Sequence, residues 1–131
     1  MAEALLARET PDRVAVESAG LGALVGEPAD EIVETLLREL EIDITNHRAR
    51  ELTAELVRKS DLILVMENVH RQAMHARFPG SRGKVFRLGE WGKFDIDDPH
   101  GQSKEFFERT LDRVRRGVSD WTTKLERLAG E

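Results

Sequence analysis

A run of consecutive apolar residues at positions 62–66, Leu-Ile-Leu-Val-Met, constrains the fold more than any other part of this chain. It follows a polar turn and predicts a strand over residues 61–66 that is covered on both faces, as in a parallel sheet. Segments rich in β-branched or apolar residues predict two more strands, at residues 13–18 and 84–88.

Helical segments separate these strands. The predicted helices follow Asp30 to about residue 41, follow Thr53 to residue 58, cover residues 67–78, and begin at residue 103. Strands separated by helices of this length imply right-handed βαβ units. We therefore predict one α/β domain over residues 1–131, with a doubly wound parallel sheet and helices on both faces.

The first eight residues have the composition of a helix, with Ala, Leu, Glu and Arg, and no capping residue precedes them. This pattern predicts a helix whose preceding first strand and loop are missing. The 131 residues also contain no cysteine. Disulfides, thiolate metal sites and thiol nucleophiles are therefore excluded within this sequence.

The charge balance argues against two classes of partner. With 20 basic and 25 acidic residues the net charge is −5, so the chain has no excess of positive charge that would favour binding to nucleic acid or an anionic membrane. No apolar run approaches the roughly 20 residues needed to span a bilayer, and the N-terminus has no signal pattern. We expect a cytoplasmic protein that binds neither nucleic acid nor membranes.

Asp98 is the main candidate for chemistry. It lies in a loop over residues 94–101, after the last predicted strand, at the carboxyl edge where open α/β sheets place their ligand crevice. Pro99 biases Asp98 away from helical geometry and stiffens its backbone, so its carboxyl group could protonate a leaving oxygen. Asp-Pro followed by Gly101 is also common turn chemistry, so a purely structural turn is the alternative.

Two other patterns give weaker signals. Glycines at positions 20, 22 and 26 follow a predicted strand, as in a dinucleotide-binding fingerprint. In that fingerprint the helix begins within the glycines, whereas here it begins only after Asp30. The pattern therefore favours a loop with a structural role over a nucleotide site. His70 and His75 are five residues apart on a predicted helix, so they point about 140° away from each other and cannot chelate one ion. We expect no metal site and treat both histidines as surface or interfacial residues.

Arginine and tryptophan side chains have structural interpretations. Arg48 and Arg50 flank one alanine in a loop. We expect their side chains to be solvated or paired with carboxylates rather than to form an anion-binding site. Trp121 lies on the apolar stripe of the last predicted helix and is expected in the core. Trp91 is expected to cover the end of the sheet, with the wall of a crevice as the alternative.

Six segments, in the same order along nearly the whole chain, match the pattern of a known family. They are Met-Ala-Glu-Ala-Leu-Leu at 1–6, Val-Glu-Ser-Ala-Gly-Leu-Gly-Ala-Leu-Val-Gly at 16–26, His-Arg-Ala-Arg at 47–50, Asp-Leu-Ile-Leu-Val-Met-Glu at 61–67, Arg-Gly-Lys-Val at 82–85 and Asp-Pro at 98–99. With these segments the chain resembles the low-molecular-weight protein tyrosine phosphatases. The closest resemblance is to the bacterial subgroup associated with capsule and exopolysaccharide export.

The resemblance implies a chemistry and a set of site residues. In that family a cysteine thiolate in a Cys-x5-Arg loop attacks phosphorus, and the aspartate of an Asp-Pro motif protonates the departing tyrosine oxygen. The match implies that Asp98 is the general acid and that Ser18 supports the phosphate loop. It places Leu24 and His100 at the substrate cleft, although the family usually has tyrosine in place of His100. The implied substrate is a phosphotyrosine protein such as a bacterial tyrosine kinase, with no cofactor.

The sequence departs from the family at its start, because the first strand, the cysteine and the phosphate-binding arginine are absent. We therefore expect the chain alone to be inactive, as an N-terminally truncated phosphatase. The alternative is a noncatalytic binding module derived from the phosphatase, in which Asp98 is a relic. An arsenate reductase on the same fold also requires cysteine thiols and is excluded equally. The gap left in the sheet predicts self-association through exposed strand edges.

Overall fold

A computed structural model describes residues 1–10, 14–20 and 26–130, with the backbone alone for 128–130. Within these residues the chain folds into helices around a short parallel sheet. The helices are α1 (Ala2–Glu9), α2 (Glu31–Glu39), α3 (Ala54–Lys59), α4 (Asn68–Arg77) and α5 (Lys104–Gly130); the strands are β1 (Ile63–Val65) and β2 (Val85–Arg87); and 3₁₀ turns occur at Pro79–Ser81 and Glu90–Gly92.

The two strands and the helix between them form one parallel βαβ unit. Ile63 pairs with Val85, and Val65 pairs with Arg87 two residues further along. Helix α4 connects β1 to β2 and packs against both strands. The predicted strands at 61–66 and 84–88 are therefore confirmed, although each is shorter than its apolar run.

Side chains from the sheet alternate between two apolar clusters. Leu64 and Phe86 pack against the larger cluster, which is built mainly from α1, α2 and α5. Ile63, Val65 and Val85 pack with the smaller cluster, which contains buried residues of α3 and α4. Because successive side chains of a strand point to opposite faces, helices cover both faces of the sheet, as predicted.

The strand predicted at residues 13–18 is not formed. Residue 13 lies outside the described residues, and residues 14–19 are in no strand. The β-branched composition favours extended backbone, but a strand also requires a hydrogen-bonded neighbour. The adjoining Gly20 makes only an isolated parallel bridge to Glu51, so the sheet of the described residues has two strands.

Three helices begin where side-chain caps were available in the sequence. An oxygen of Asp30 accepts a hydrogen bond from the Ile32 amide at 2.8 Å, at the start of α2. Thr53 caps α3 in the same way through the Leu56 amide, at 3.2 Å. Ser103 accepts a hydrogen bond from the Phe106 amide at 3.2 Å as α5 begins. The first turn of α1 has no side-chain cap, and this helix packs along α5 through the buried Leu5.

The two tryptophans join α5 to the end of β2. Trp121 is 6% exposed, and its indole N–H donates to the carbonyl of Arg87 at 3.0 Å. Trp91 lies edge-on against Trp121 with ring centroids 5.4 Å apart, and the Lys124 ammonium lies 4.5 Å from the Trp91 ring centre. Trp121 is therefore a core residue, and Trp91 covers it at the end of the sheet, as expected for both.

Among the described residues, no helix combines the length and apolar character that crossing a bilayer requires.

Candidate active site

The loop that carries Asp98 lies at the carboxyl end of β1. The amide of Ile96 donates to the carbonyl of Met66 at 2.9 Å, one residue beyond the end of that strand. The Asp98 side chain is exposed, and its Oδ1 accepts a hydrogen bond from the His100 amide at 3.0 Å. Asp98 therefore makes the Asp-Pro turn that was the structural alternative, and it does so at the sheet edge where a ligand crevice was predicted.

A cavity of about 260 Å³ opens beside the N-terminus of α1. Its lining comes from the first turn of α1, the segment leading into α2, and the irregular segment before α3; the residues are Met1, Glu3, Ala4, Glu27, Pro28, Ala29, Asp30, Val33, Ile44, His47 and Ala49. Amide N–H groups at a helix N-terminus are short of intrahelical acceptors and carry partial positive charge. The helix end therefore contributes positive partial charge to the cavity, while the acidic residues Glu3, Glu27 and Asp30 contribute negative charge.

Backbone pairing between two irregular segments forms one wall of this cavity. The amide of Ala49 donates to the carbonyl of Glu27, and the amide of Gly26 donates to the carbonyl of Ala49, both at 2.8 Å. Gly26 has a φ of +84°, a conformation that glycine adopts without steric cost. Pro28 and Arg48 form an antiparallel bridge next to these bonds. The wall is thus fixed by main-chain contacts rather than by side chains alone.

Asp30 connects the cavity to the loop of Asp98. Its Oδ1 caps α2, while its Oδ2 lies 3.9 Å from Nδ1 of His100. Asp30 also lines the cavity, and His100 is two residues beyond Asp98. The structure therefore brings the Asp98 loop to the edge of the cavity at the N-terminus of α1.

A carboxylate and an imidazole face each other inside the cavity. Oε2 of Glu3 lies 3.4 Å from Nδ1 of His47, and both side chains are partly buried. Burial lowers the pKa of the Met1 amino group, and the charge of Glu3 opposes that shift in part. No role for Glu3 or His47 is predictable from the sequence, because they are separated by 44 positions and follow no local spacing.

Ser18 and Leu24 are the two remaining residues assigned from the resemblance. Ser18 is partly buried, and its carbonyl accepts a hydrogen bond from Nε of Arg50 at 2.8 Å. It is not among the described residues that line the cavity. Leu24 falls in residues 21–25, outside the described residues.

The loop arginines contact protein groups. Arg50 also lies 3.5 Å from the carboxylate of Glu17, which matches the expected carboxylate pairing. Nη1 of Arg48 donates to the carbonyls of Thr45 and His47 at 2.9 and 2.6 Å. Both guanidinium groups therefore hold backbone in place around the cavity wall.

One of the two histidines of α4, His70, has a structural role. Nδ1 of His70 accepts a hydrogen bond from the Glu67 amide at 3.2 Å and completes a capping box at the start of the helix. His75 is partly buried one turn later. In the described part of the chain no group of three or more His, Asp or Glu side chains is arranged to hold a metal ion.

Comparisons with known proteins agree on one family. Residues 1–129 match the family model described as low molecular weight phosphotyrosine protein phosphatase. The chain is 44% identical over 128 residues to a probable low molecular weight protein-tyrosine-phosphatase EpsP of Ralstonia nicotianae, covering 98% of this chain and 88% of that protein. It is 38% identical over 131 residues to the low molecular weight protein-tyrosine-phosphatase Wzb of Salmonella typhimurium, covering 99% and 87%.

A solved structure gives the same result. Vibrio vulnificus Wzb in complex with benzylphosphonate superposes with a TM-score of 0.90 at 37% sequence identity, covering 95% of this chain and 88% of that one. The α/β fold with a parallel sheet is therefore shared, although the sheet described here is small.

Proposed function

Because this chain belongs to the low molecular weight phosphotyrosine protein phosphatase family, with relatives of the exopolysaccharide-associated EpsP and Wzb type, we propose that its cavity and the adjoining Asp98 loop form a phosphotyrosine site. The observation that supports this most is the 3.9 Å contact of His100 with Asp30, which brings the candidate acid loop to the edge of the cavity beside the N-terminus of α1. The proposed substrate is a phosphotyrosine protein, in particular a bacterial tyrosine kinase. The proposed compartment is the cytoplasm, where thiol nucleophiles stay reduced.

We assign Asp98 the role of general acid. A tyrosine oxygen is a poor leaving group because its pKa is about 10, so a carboxylic acid that protonates it as the bond to phosphorus breaks lowers the barrier. Asp98 is exposed at the carboxyl edge of the sheet and is held in a turn by the His100 amide. Ser18, Leu24 and His100 keep their proposed roles in phosphate-loop support and in lining the substrate cleft.

The chain by itself lacks the attacking group. It contains no cysteine, so no thiolate is present to form the phospho-enzyme. We propose that residues 1–131 form a single phosphatase-type domain, and that these residues alone, which contain no cysteine, are inactive.

The acid role is testable in a chain completed at its N-terminus. Joining the strand and Cys-x5-Arg segment of the Salmonella relative to Met1 supplies a thiolate and a phosphate-binding arginine. In that protein, Asp98→Asn should lower kcat on a phosphotyrosine peptide by about 10²–10⁴-fold, the usual contribution of a general acid. Its effect on para-nitrophenyl phosphate should be much smaller, because that leaving group needs less protonation. Asp97→Asn is the matched control, and equal losses for both substrates would count against the assignment.

The noncatalytic alternative rests on the same absence of cysteine. A binding module would bind a phosphotyrosine peptide saturably without turnover, and it would stay inactive after completion with the N-terminal segment. Calorimetric titration with the peptide, followed by the activity assay on the completed chain, separates the two candidates.

We also propose that the chain self-associates through its sheet. Among the described residues β1 is hydrogen-bonded to β2, and residues 14–19 supply no second neighbour. An unpaired strand edge is a template for another chain. Light scattering that shows a monomer with a single cooperative unfolding transition would rule this out.

A further inference from the structure

We propose that Arg87 and Asp95 are positioning residues, and that their ion pair holds the Asp98 loop in place at the edge of the cavity. The inference deepens the proposed function, because its catalytic meaning rests on Asp98 being the acid. Its structural content, that this pair fixes the loop, stands by itself.

One carboxylate joins three parts of the fold. Nη1 of Arg87, the last residue of β2, lies 3.0 Å from Oδ1 of Asp95. The same oxygen accepts a hydrogen bond from the amide of Asn68, the first residue of α4, at 3.1 Å. Asp95 is three residues before Asp98, so the start of the acid loop is tied to both the sheet and a helix end.

The anchoring of the loop is concentrated at this point. The Ile96 amide donates a hydrogen bond to the carbonyl of Met66, and Nη1 of Arg113 on α5 donates one to the carbonyl of Asp95 at 3.1 Å. Beyond residue 96, the hydrogen bonds that the loop makes among the described residues are local, including the one from the His100 amide to Asp98. The position of Asp98 therefore depends mainly on how firmly residues 95 and 96 are held, because the one tie beyond them is the 3.9 Å contact between Asp30 and the exposed side chain of His100 among the described residues.

Arg87 is oriented by its carboxylate partners. Its side chain is 19% exposed, and its Nη2 lies 3.7 Å from Oε2 of Glu90. Its Nε is buried without a hydrogen-bond partner among the described residues, which is unfavourable in isolation. This cost is offset because the other two nitrogens of the guanidinium group lie near the carboxylates of Asp95 and Glu90. The hydrogen bond to Asp95 raises the pKa of Arg87, so the guanidinium group stays charged.

Arg71 offers a matched control in the same charge cluster. Its Nη1 lies 3.6 Å from Oε1 of Glu90, and its guanidinium lies 5.7 Å from the ring centre of Phe86. No hydrogen bond or ion pair between Arg71 and the 95–101 loop is found among the described residues. Arg71→Met thus removes a neighbouring cation that shares Glu90 with Arg87, and it leaves the direct contact between Arg87 and Asp95 in place.

The test measures amide hydrogen exchange by NMR in the 131-residue chain. Arg87→Met should speed exchange at Ile96 and His100 by about tenfold, the change expected when a charge-assisted hydrogen bond is lost, while amides of α5 remain protected. Arg87→Lys keeps the cation and should restore most of the protection. The carboxyl ¹³C resonance of Asp98 should shift in Arg87→Met and remain unchanged in Arg71→Met.

Two results would overturn the inference. One is unchanged exchange at residues 95–100 in Arg87→Met with α5 still protected, and the other is equal acceleration in Arg71→Met. If Arg87→Met unfolds globally, Asp95→Asn replaces it, because it removes the charge and keeps an oxygen for the Asn68 amide. A loosened loop together with a completed chain that does not need Asp98 would support the positioning role and refute the proposed acid.

Discussion

Replacing Gly117 with alanine tests how closely α5 must approach the sheet. A Cβ atom at position 117 would lie 2.8 Å from both Cγ and the carbonyl oxygen of Leu88. Leu88 is 1% exposed, and its amide is hydrogen-bonded to the carbonyl of Val65 at 2.8 Å. The backbone that meets the new methyl group is therefore held by the end of β1, and moving it away would strain that hydrogen bond.

The close contact with Leu88 decides whether Gly117→Ala raises or lowers the free energy of unfolding. Alanine in a helix interior is normally about 1 kcal/mol more favourable than glycine. Overpacking a filled core costs about 1–3 kcal/mol, and a contact with fixed backbone belongs in the upper part of that range. We expect Gly117→Ala to lower the free energy of unfolding by about 1–2 kcal/mol, or the melting temperature by roughly 3–10 °C for a domain of this size.

Urea unfolding followed by tryptophan fluorescence measures the effect, since Trp121 is buried four residues further along α5. Thr123→Ala is the control, because this exposed helix position should become slightly more stable through helix propensity alone. A Gly117→Ala protein at least as stable as the original would refute the close approach of α5 to Leu88.

Further predictions concern a cap, a core residue and pH. Asp30→Ala should lower the free energy of unfolding by about 1 kcal/mol, because the cap on the Ile32 amide is lost, and urea unfolding measures the change. Leu37→Ala, at a fully buried position, should cost about 2–5 kcal/mol in the same assay. Hydrogen bonds from the Thr45 backbone and side chain lower the pKa of Asp43. The charged carboxylate therefore stabilises the folded state at pH values above the unfolded pKa of about 3.9, and this stabilisation is lost as the pH falls through the pKa of Asp43 in the folded protein. The difference in melting temperature between the original chain and Asp43→Ala should therefore shrink from pH 7 to pH 3, and a constant difference would contradict this.

Local signals were sufficient to predict the helices and the paired strands. Caps such as Asp30 and Thr53 act on amides within three residues, so their effect can be inferred from sequence spacing. The apolar run at 62–66 could be recognised because both faces of the sheet are covered. The strand predicted at 13–18 failed because pairing depends on a neighbour that composition does not reveal.

The site was predictable only in part. The edge position of Asp98 followed from the order of strands and loops. The pairs that organise its surroundings, Glu3 with His47 and Asp30 with His100, join residues far apart in the sequence. Local periodicity carries no information about such contacts, and they emerge only when the helices pack.

The most direct test of the central claim is hydrolysis of para-nitrophenyl phosphate by the 131-residue chain, before and after its N-terminus is joined to the strand and Cys-x5-Arg segment of a relative. We expect no turnover by the chain alone and clear turnover after joining, because the scaffold and the proposed acid are present and the thiolate is supplied. Turnover by the pure 131-residue chain would contradict it, as would a folded joined protein that binds phosphate and remains inactive.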